Sequence, residues 1–294
     1  QKIPERRHVN QPMRLKWKKR VEPDILQQAL QCVGDHHDAL RLRFAEKDGR
    51  IRQFHAEPGE PIALACFDVA ALSEEQQQAE MRQKMQDVQA GLDLEAGPLM
   101  RAALFDVGEQ QPQKLLWAIH HLVVDGVSWR ILLDDLQTAL DALSQNQTPQ
   151  LPKKTSSYKA WSERLNEFAQ SDTVRADLEH WLALPQAALP RDLQAGENSI
   201  ASEQTVQVFL SNEETAALLK DVPSAFDCRV NEILLTALAL AHSRWTQADD
   251  MTLTLEGHGR EDALVGEVDV SRTVGWFTTF YPLQLSVPPT SASS

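Results

Sequence analysis

A short stretch in the middle of the chain predicts a strand, a tight turn and a helix in immediate succession. The apolar run 115–119 leads into His120 and His121, and after three further residues Asp125 and Gly126 supply a turn signal. Apolar residues at helical spacing follow the turn. This order places an imidazole at a strand-to-loop junction that faces a helix N-terminus, a position suited to proton-transfer chemistry.

The two adjacent histidines are predicted to have different roles. Successive side chains on a strand point to opposite faces, so His120 and His121 cannot share one cleft unless the strand breaks there. One of them is therefore expected to be structural, and His121 is the candidate acid or base. Taken alone, a pair of histidines is more often two ordinary packed or surface residues, and that alternative stays open. A second pair, His36 and His37, lacks the Asp-Gly turn and is typical of a helix end.

Asp125 has three candidate roles: a catalytic carboxylate, the N-cap of the following helix, or a salt-bridge partner that orients the loop. We interpret Asp125 as structural and Gly126 as the residue that permits the tight turn. The positive end of the helix dipole would then help to hold a developing oxyanion.

Composition restricts the class of protein. The 294-residue chain carries a net charge of -13, which argues against a nucleic-acid partner. The basic cluster 14–20 is typical of a half-exposed strand, with an acidic partner surface as the alternative. Cys32, Cys66 and Cys228 have no metal-ligand spacing and indicate free thiols in a reducing cytoplasm. No apolar stretch predicts a membrane span, and the N-terminus lacks a signal-peptide core.

Periodicity and turn residues predict a mixed α/β (α+β) chain in two lobes. Strands are expected at 40–44, 51–55, 98–107, 114–120, 205–210, 251–255 and 281–287. Helices are expected at 25–33, 73–90, 127–143, around Trp161, around Trp181, at 215–220 and at 231–245. The last of these is apolar enough to predict a buried central helix. We predict an N-terminal lobe at 1–183, a linker at 184–201 and a C-terminal lobe at 202–294.

The segment 255–262 carries a second set of candidate residues. Glu256 ends a predicted strand, and two glycines flank His258, close to Arg260. The alternative is a charged surface loop with internal Arg–Glu pairing. The spacing of these side chains matches no zinc or iron site, so no metal is expected.

The segment 273–282 is rich in aromatic residues, among them Trp276 and Tyr281. Taken alone, it is more typical of a protein core than of a cleft wall. The chain contains no Gly-x-Ser-x-Gly elbow, phosphate-binding loop or dinucleotide fingerprint.

Taken in order, these segments resemble the epimerization domain of nonribosomal peptide synthetases, a branch of the condensation-domain superfamily, along almost the whole chain. The matching segments are 8–11 (His-x-Asn-Gln), 36–44, 120–132 (His-His-x-x-x-Asp-Gly-Val-Ser-Trp-Arg), 157–165, 256–261 (Glu-Gly-His-Gly-Arg-Glu) and 274–282. The last two separate this branch from peptide-bond-forming members, which resemble Asp-Gly-Trp-Ser after the histidines.

The resemblance implies two chloramphenicol-acetyltransferase-like lobes in a V shape, with the active site in a tunnel between them. It implies inversion at the Cα of an aminoacyl or peptidyl thioester, with His121 serving one face and Glu256 the other. The supporting positions that it implies are His120, Asp125, Gly126, Ser128, Trp129, His258, Arg260, Trp276 and Tyr281. The substrate is expected on the phosphopantetheine arm of a carrier domain within a multi-module synthetase, with no cofactor or metal of the domain's own.

Family members continue beyond Pro282, so the resemblance implies that the second lobe is incomplete in this chain. Two alternatives to an epimerase stay open. The first is a condensation-type acyltransferase, in which His121 positions or deprotonates an amine. The second is a catalytically silent module that only docks a carrier. Glu256 and the Gly-Trp-Phe segment favour the epimerase over the first alternative. Intact His121, Asp125, Gly126 and Glu256 argue against the second, whereas an incomplete second lobe favours it.

Overall fold

The chain forms two compact units in a computed structural model that describes residues 8–185, 189–190 and 199–287. Unit 1 comprises Gln1–Val174 and His258–Thr279, and unit 2 comprises Arg175–Gly257 and Phe280–Ser294. The segment 258–279, expected in the C-terminal lobe, therefore packs within unit 1. Most of the expected linker 184–201 lies outside the described residues.

Unit 1 is built on a four-stranded sheet. Its strands are β1 (Asn10–Lys16), β4 (Ala63–Asp68), β5 (Met100–Asp106) and β6 (Lys114–His120), in the order β1-β6-β5-β4. The β1–β6 and β5–β6 pairs are antiparallel and the β4–β5 pair is parallel. The strands predicted at 98–107 and 114–120 are confirmed, whereas β4 was not predicted.

Helices cover both faces of this sheet: α1 (Pro23–His36) and α3 (Gly126–Ser144) pack on one face, and α2 (Glu74–Ala90) packs on the other. Alternate residues of β6 enter the two cores: Leu115, Trp117 and Ile119 join α1 and α3, while Leu116 and Ala118 join α2. Burial on both faces explains why this strand is an unbroken apolar run.

Unit 1 also contains a hairpin and further helices outside the sheet. A hairpin joins β2 (Leu42–Lys47) to β3 (Arg50–His55) through Asp48 and Gly49, both with positive φ. The predicted strand 40–44 begins only at Leu42, because Asp38–Arg41 forms a 3-10 turn. The helices α4 (Tyr158–Ala169), α5 (Asp172–Ala176) and α6 (Leu178–Ala183) follow α3 along the chain, α6 in unit 2, and α10 (Asp262–Val265) packs on α4.

Unit 2 contains α7 (Asn212–Ala216), α8 (Val222–Phe226), α9 (Val230–Thr246) and a two-stranded sheet of β7 (Asp250–Gly257) and β8 (Thr279–Ser286). Ser211 and Glu214 form a capping box at the start of α7. The prediction of a strand at 205–210 is wrong: this segment has no regular secondary structure and no strand partner among the described residues, and Val206 and Val208 are exposed.

The predicted helix at 231–245 forms as α9, but the prediction that it is buried is wrong. Ala239 is its one buried residue, and Leu234, Leu238 and Trp245 are exposed. The described part of unit 2 offers β7 as packing surface for this helix and too little else to cover it. No described helix is both long enough and apolar enough to cross a bilayer.

Candidate active site

The strand β6 breaks between the two histidines. His120 is the last residue of β6, and His121 begins a 3-10 turn, His121–Val123. His120 is buried, and its Nδ1 accepts the Leu122 N–H at 3.2 Å. The His121 N–H donates to the Val9 carbonyl at 2.9 Å. This is the break that the sequence required for the two imidazoles to differ in role, and it leaves His120 within the core.

Three contacts hold the His121 ring. Its Nδ1 lies 3.0 Å from the Val124 carbonyl, and its Nε2 lies 3.1 Å from the Gln11 side-chain nitrogen. Its ring centroid lies 4.5 Å from that of Trp276, with the planes tilted by 36°. The imidazole is thus fixed from β1, from its own loop and from the aromatic segment.

Asp125 is both an N-cap and a salt-bridge partner. Its Oδ1 accepts the Ser128 N–H at 2.7 Å, which caps α3, and its Oδ2 accepts the Phe277 N–H at 3.1 Å. Both oxygens also accept from the Arg260 guanidinium, at 3.0 and 3.3 Å. This buried carboxylate therefore makes the contacts of two of its three candidate roles, the N-cap and the salt bridge.

The expectation that Gly126 permits the tight turn is wrong. Its φ lies outside the left-handed region and nothing stands within 4 Å of where a Cβ would be. The turn is made by the extended backbone of Asp125, with φ of -137° and ψ of 180°, and Gly126 is simply the first residue of α3.

Arg260 is not part of an exposed charged loop. Besides Asp125, its guanidinium donates to the Ser128 hydroxyl at 2.9 Å and to the carbonyls of Val270 and Thr273 at 3.2 and 2.7 Å. It also stacks over the Phe277 ring at 3.8 Å. Burial lowers the pKa of Arg260, and the Asp125 carboxylate opposes that effect. The alternative of Arg–Glu pairing within the loop is therefore wrong for this side chain.

The Gly-Trp-Phe segment is fixed at each of its residues. The Ser128 hydroxyl donates to the Gly275 carbonyl at 2.9 Å and accepts the Gly275 N–H at 3.1 Å. The Tyr158 hydroxyl donates to the Trp276 carbonyl at 2.6 Å, and burial raises the pKa of Tyr158. These bonds place the Trp276 ring against His121.

Two site residues were not singled out from the sequence. Gln11 contacts His121, and Tyr158 holds the backbone of Trp276. Each lies in a segment that only the family resemblance identifies, at 8–11 and 157–165. Trp129, proposed as a supporting residue, donates its indole N–H to the Gln11 oxygen at 3.0 Å.

The remaining predicted residues lie elsewhere. Glu256 is exposed near the end of β7 and Tyr281 is exposed on β8, both within unit 2. His258 is exposed in unit 1, where its Nδ1 accepts the Arg260 N–H at 3.0 Å and its Nε2 lies 3.6 Å from the Glu261 carboxylate. The contacts described above, from His121 to the Gly-Trp-Phe segment, therefore all lie within unit 1.

One cluster of metal-ligand types occurs among the described residues, at His36, His37 and Asp135. The His37 Nε2 lies 2.8 Å from one Asp135 oxygen, and Arg272 pairs with the other. A guanidinium already occupies the place of a cation beside this carboxylate, so the donor set fits an internal ion-pair cluster better than a metal site.

Comparison with known proteins gives a consistent assignment. The condensation-domain family model matches residues 1–293. The chain is 43% identical over 296 residues to one of the linear gramicidin synthase proteins of Brevibacillus parabrevis, covering 100% of this chain and 6% of that protein. It is 46% identical over 286 residues to a chondramide synthase of Chondromyces crocatus, covering 96% of this chain and 7% of that protein. It therefore spans a small fraction of the length of such relatives.

Solved structures give the same fold. The epimerization domain from the third module of tyrocidine synthetase B is similar with a TM-score of 0.89 and 35% identity, over 98% of this chain and 66% of that one. The first condensation domain of the calcium-dependent antibiotic synthetase is similar with a TM-score of 0.76 and 21% identity, over 97% of this chain and 66% of that one.

Proposed function

The chain belongs to the condensation-domain family, and from that premise we propose that it epimerises the Cα of an L-aminoacyl or peptidyl thioester in nonribosomal peptide synthesis. The observation that carries the proposal is the buried cluster of Asp125, Ser128 and Arg260. This cluster joins the histidine loop, residues 121–125, to the segment 258–279. That segment carries most of the two motifs that distinguish the epimerization branch, at 256–261 and 274–282. Trp276 consequently stacks on His121.

The proposed reaction is a pair of proton transfers. The Cα–H bond breaks, the proton passes to the Nε2 of His121, and the electron pair moves into an enolate on the thioester carbonyl. Glu256 then delivers a proton to the opposite face of Cα. Exchange with water returns both side chains to their starting forms, so the D and L thioesters have the same composition. This chemistry is proton transfer alone and calls for no redox group.

The thioester is expected on the phosphopantetheine arm of a carrier domain. Condensation domains work within multidomain synthetases, and the relatives that match this chain are synthetases. Greater similarity to the tyrocidine epimerization domain than to the solved condensation domain supports epimerization over peptide-bond formation.

The test uses a carrier protein loaded with an L-aminoacyl phosphopantetheine thioester, incubated with the chain in heavy water. We expect deuterium at Cα and accumulation of the D-isomer after release from the carrier. Supplying a second carrier with an acceptor amine tests the acyltransferase alternative, because an amide product without deuterium at Cα identifies condensation.

Matched variants assign the two proposed residues. His121→Ala and Glu256→Gln are each expected to lower the rate of inversion by about 100-fold or more. His55→Ala and Glu261→Gln remove an exposed histidine and a neighbouring carboxylate, and both are expected to keep wild-type rates. Retained carrier binding without deuterium uptake, for several loaded amino acids, would instead identify a docking module.

A further inference from the structure

We infer that Gln11 is a positioning residue that holds His121 as the Nδ1-protonated tautomer, with Trp129 fixing the orientation of the Gln11 amide. The role assigned to this tautomer rests on the proposed function. The inference itself comes from the order of donors and acceptors along four groups, the Trp129 indole, the Gln11 amide, the His121 ring and the Val124 carbonyl.

The order begins at the indole. An indole N–H can only donate, so the Gln11 atom that lies 3.0 Å from it must be the amide oxygen. The other end of the same amide, the NH₂ group, then faces the Nε2 of His121 at 3.1 Å. An NH₂ group can only donate, so this Nε2 must accept and carries no proton.

The other ring nitrogen completes the order. A carbonyl can only accept, so the Nδ1 of His121 must carry the proton that it donates to the Val124 oxygen at 3.0 Å. The contacts at the two ring nitrogens of His121 therefore select the same neutral tautomer. A proton added to Nε2 would point at an amide N–H, which cannot accept it.

The groups that set this order are themselves held in place. Gln11 lies on β1 opposite Ile119 of β6, so the strand pairing fixes its backbone. Trp129 is buried in the first turn of α3 and packs edge-on against Trp117, with ring centroids 5.3 Å apart. Gln11 and Trp129 therefore cannot exchange their roles as hydrogen-bond acceptor and donor without disturbing the sheet or the helix α3.

For the proposed reaction, this arrangement makes Nε2 the nitrogen that takes the proton from Cα. In the absence of substrate the Gln11 N–H covers the lone pair of that nitrogen. Substrate must therefore displace this hydrogen bond, while the bond from Nδ1 to Val124 persists and keeps the ring in plane. His121 then starts each cycle as a proton acceptor.

Nitrogen-15 NMR of the whole chain with labelled histidine tests the inference without any turnover. At alkaline pH we expect His121 to show a protonated Nδ1 and an unprotonated Nε2. The isosteric variant Gln11→Glu replaces the NH₂ with an accepting oxygen, so we expect its His121 to carry protons on both nitrogens at a pH where wild type carries one. Gln110→Glu, an exposed residue in the β5–β6 loop, controls for the added charge.

Two results would overturn the inference: a protonated Nε2 and bare Nδ1 in the wild-type chain, or a Gln11→Glu spectrum that matches that of Gln110→Glu. Trp129→Phe removes the indole N–H that fixes the Gln11 amide, so we expect a smaller population of the Nδ1-protonated tautomer than in wild type, while the bond to Val124 keeps that tautomer the major form. A population equal to that of wild type would show that Trp129 does not orient the amide. Because wild type alone gives one of these readouts, a poorly folded variant does not prevent the test.

Activity then separates this inference from the proposed function. In an active chain we expect Gln11→Ala to lower kcat for deuterium uptake by about 10- to 100-fold, with KM little changed. A chain with the expected tautomer and no uptake would refute the epimerase and leave the role of Gln11 in setting the tautomer intact.

Discussion

Arg260 shows how a single buried cation can hold a loop to a distant part of the chain. It lies 135 positions from Asp125 in sequence, yet its guanidinium contacts that carboxylate, the Ser128 hydroxyl and two backbone carbonyls. Burial lowers the pKa of Arg260, because removing this charge from water is unfavourable. The surrounding acceptors offset that cost.

Removing one partner of this pair should be strongly destabilising. Asp125→Asn keeps the size of the side chain but leaves the Arg260 cation without a counter-charge in a buried site. We expect the free energy of unfolding, from urea denaturation, to fall by about 3–5 kcal/mol. Asp106→Asn breaks the partly exposed pair with Arg20 and should cost at most about 1 kcal/mol. Equal losses in the two variants would contradict this account.

His36 gives the stability a predictable pH dependence. Burial lowers its pKa, and His37 and Lys154 act in the same direction, while Asp135 and the Pro152 carbonyl oppose them. In the unfolded chain the pKa returns to about 6.5. Below that pH the unfolded state binds a proton that the folded state does not, so stability falls as the pH drops toward the folded pKa.

We therefore expect His36→Gln to lose less stability than wild type between about pH 7 and pH 5. Urea denaturation at several pH values in that window measures the difference. His55→Gln, which removes an exposed histidine from β3, reports the effect of losing a histidine as such. A wild-type slope in His36→Gln would show that other groups set the acid sensitivity.

At the scale of elements, the segment 258–279 acts as a clamp, in the sense that it holds the histidine loop in place through Asp125. Its backbone path depends on one glycine. Gly259 has a φ of +68°, and a Cβ there would lie 1.7 Å from the Phe277 carbonyl oxygen. Phe277 in turn donates its N–H to Asp125. A side chain at 259 would therefore push the aromatic segment away from the histidine loop.

Gly259→Ala and Gly266→Ala form a matched pair. Both glycines have positive φ, so each substitution incurs about 1 kcal/mol of backbone strain. Only Gly259→Ala also meets backbone atoms, because nothing lies within 4 Å of the Cβ position at Gly266. We expect the first variant to be the less stable of the two, as measured by urea denaturation, and to lose the His121–Trp276 ring-current shifts in NMR spectra. Retention of those shifts would refute the clamp.

Elements with local signals could be predicted, and those that depend on distant partners could not. The helices predicted at 73–90 and 127–143 are read from residues close together in sequence, and both are confirmed as α2 and α3. β4 was missed because it is defined by parallel pairing with β5 rather than by its own pattern. The strand expected at 205–210 had the pattern but no described partner.

The site divides in the same way. The position of His121 at a strand end and the capping role of Asp125 follow from the local order of residues. The contacts of Gln11 and Arg260 do not, because each links segments more than 100 residues apart. Residue type alone gives no direction to an amide or a guanidinium, and only the packed structure assigns their partners.

At the scale of the whole molecule, burial is unevenly shared between the two units. Among the residues that the structure describes, the three clusters of buried apolar side chains consist entirely of unit 1 residues. In unit 2, α9 has a single buried residue, and the segment 206–210 around Phe209 is exposed. Exposed apolar surface of this extent marks an interaction face or an aggregation liability.

Because of this uneven burial, we expect the less apolar of the two long helices, α3, to be better protected from amide exchange than the more apolar one, α9. By composition, α9 is the more apolar helix and α3 carries more charge. In the structure, α3 buries eight residues, among them Leu132 and Leu136, whereas α9 buries one.

Because amide protection follows the free energy of local opening, we expect α9 to exchange its amide hydrogens at least about 100-fold faster than α3. Hydrogen–deuterium exchange with mass spectrometry measures both helices in one experiment. Raising the protein concentration gives the control, since protection of α9 that grows with concentration would show that a second copy covers its apolar face. Equal and concentration-independent protection would mean that α9 is covered in solution by contacts within the chain.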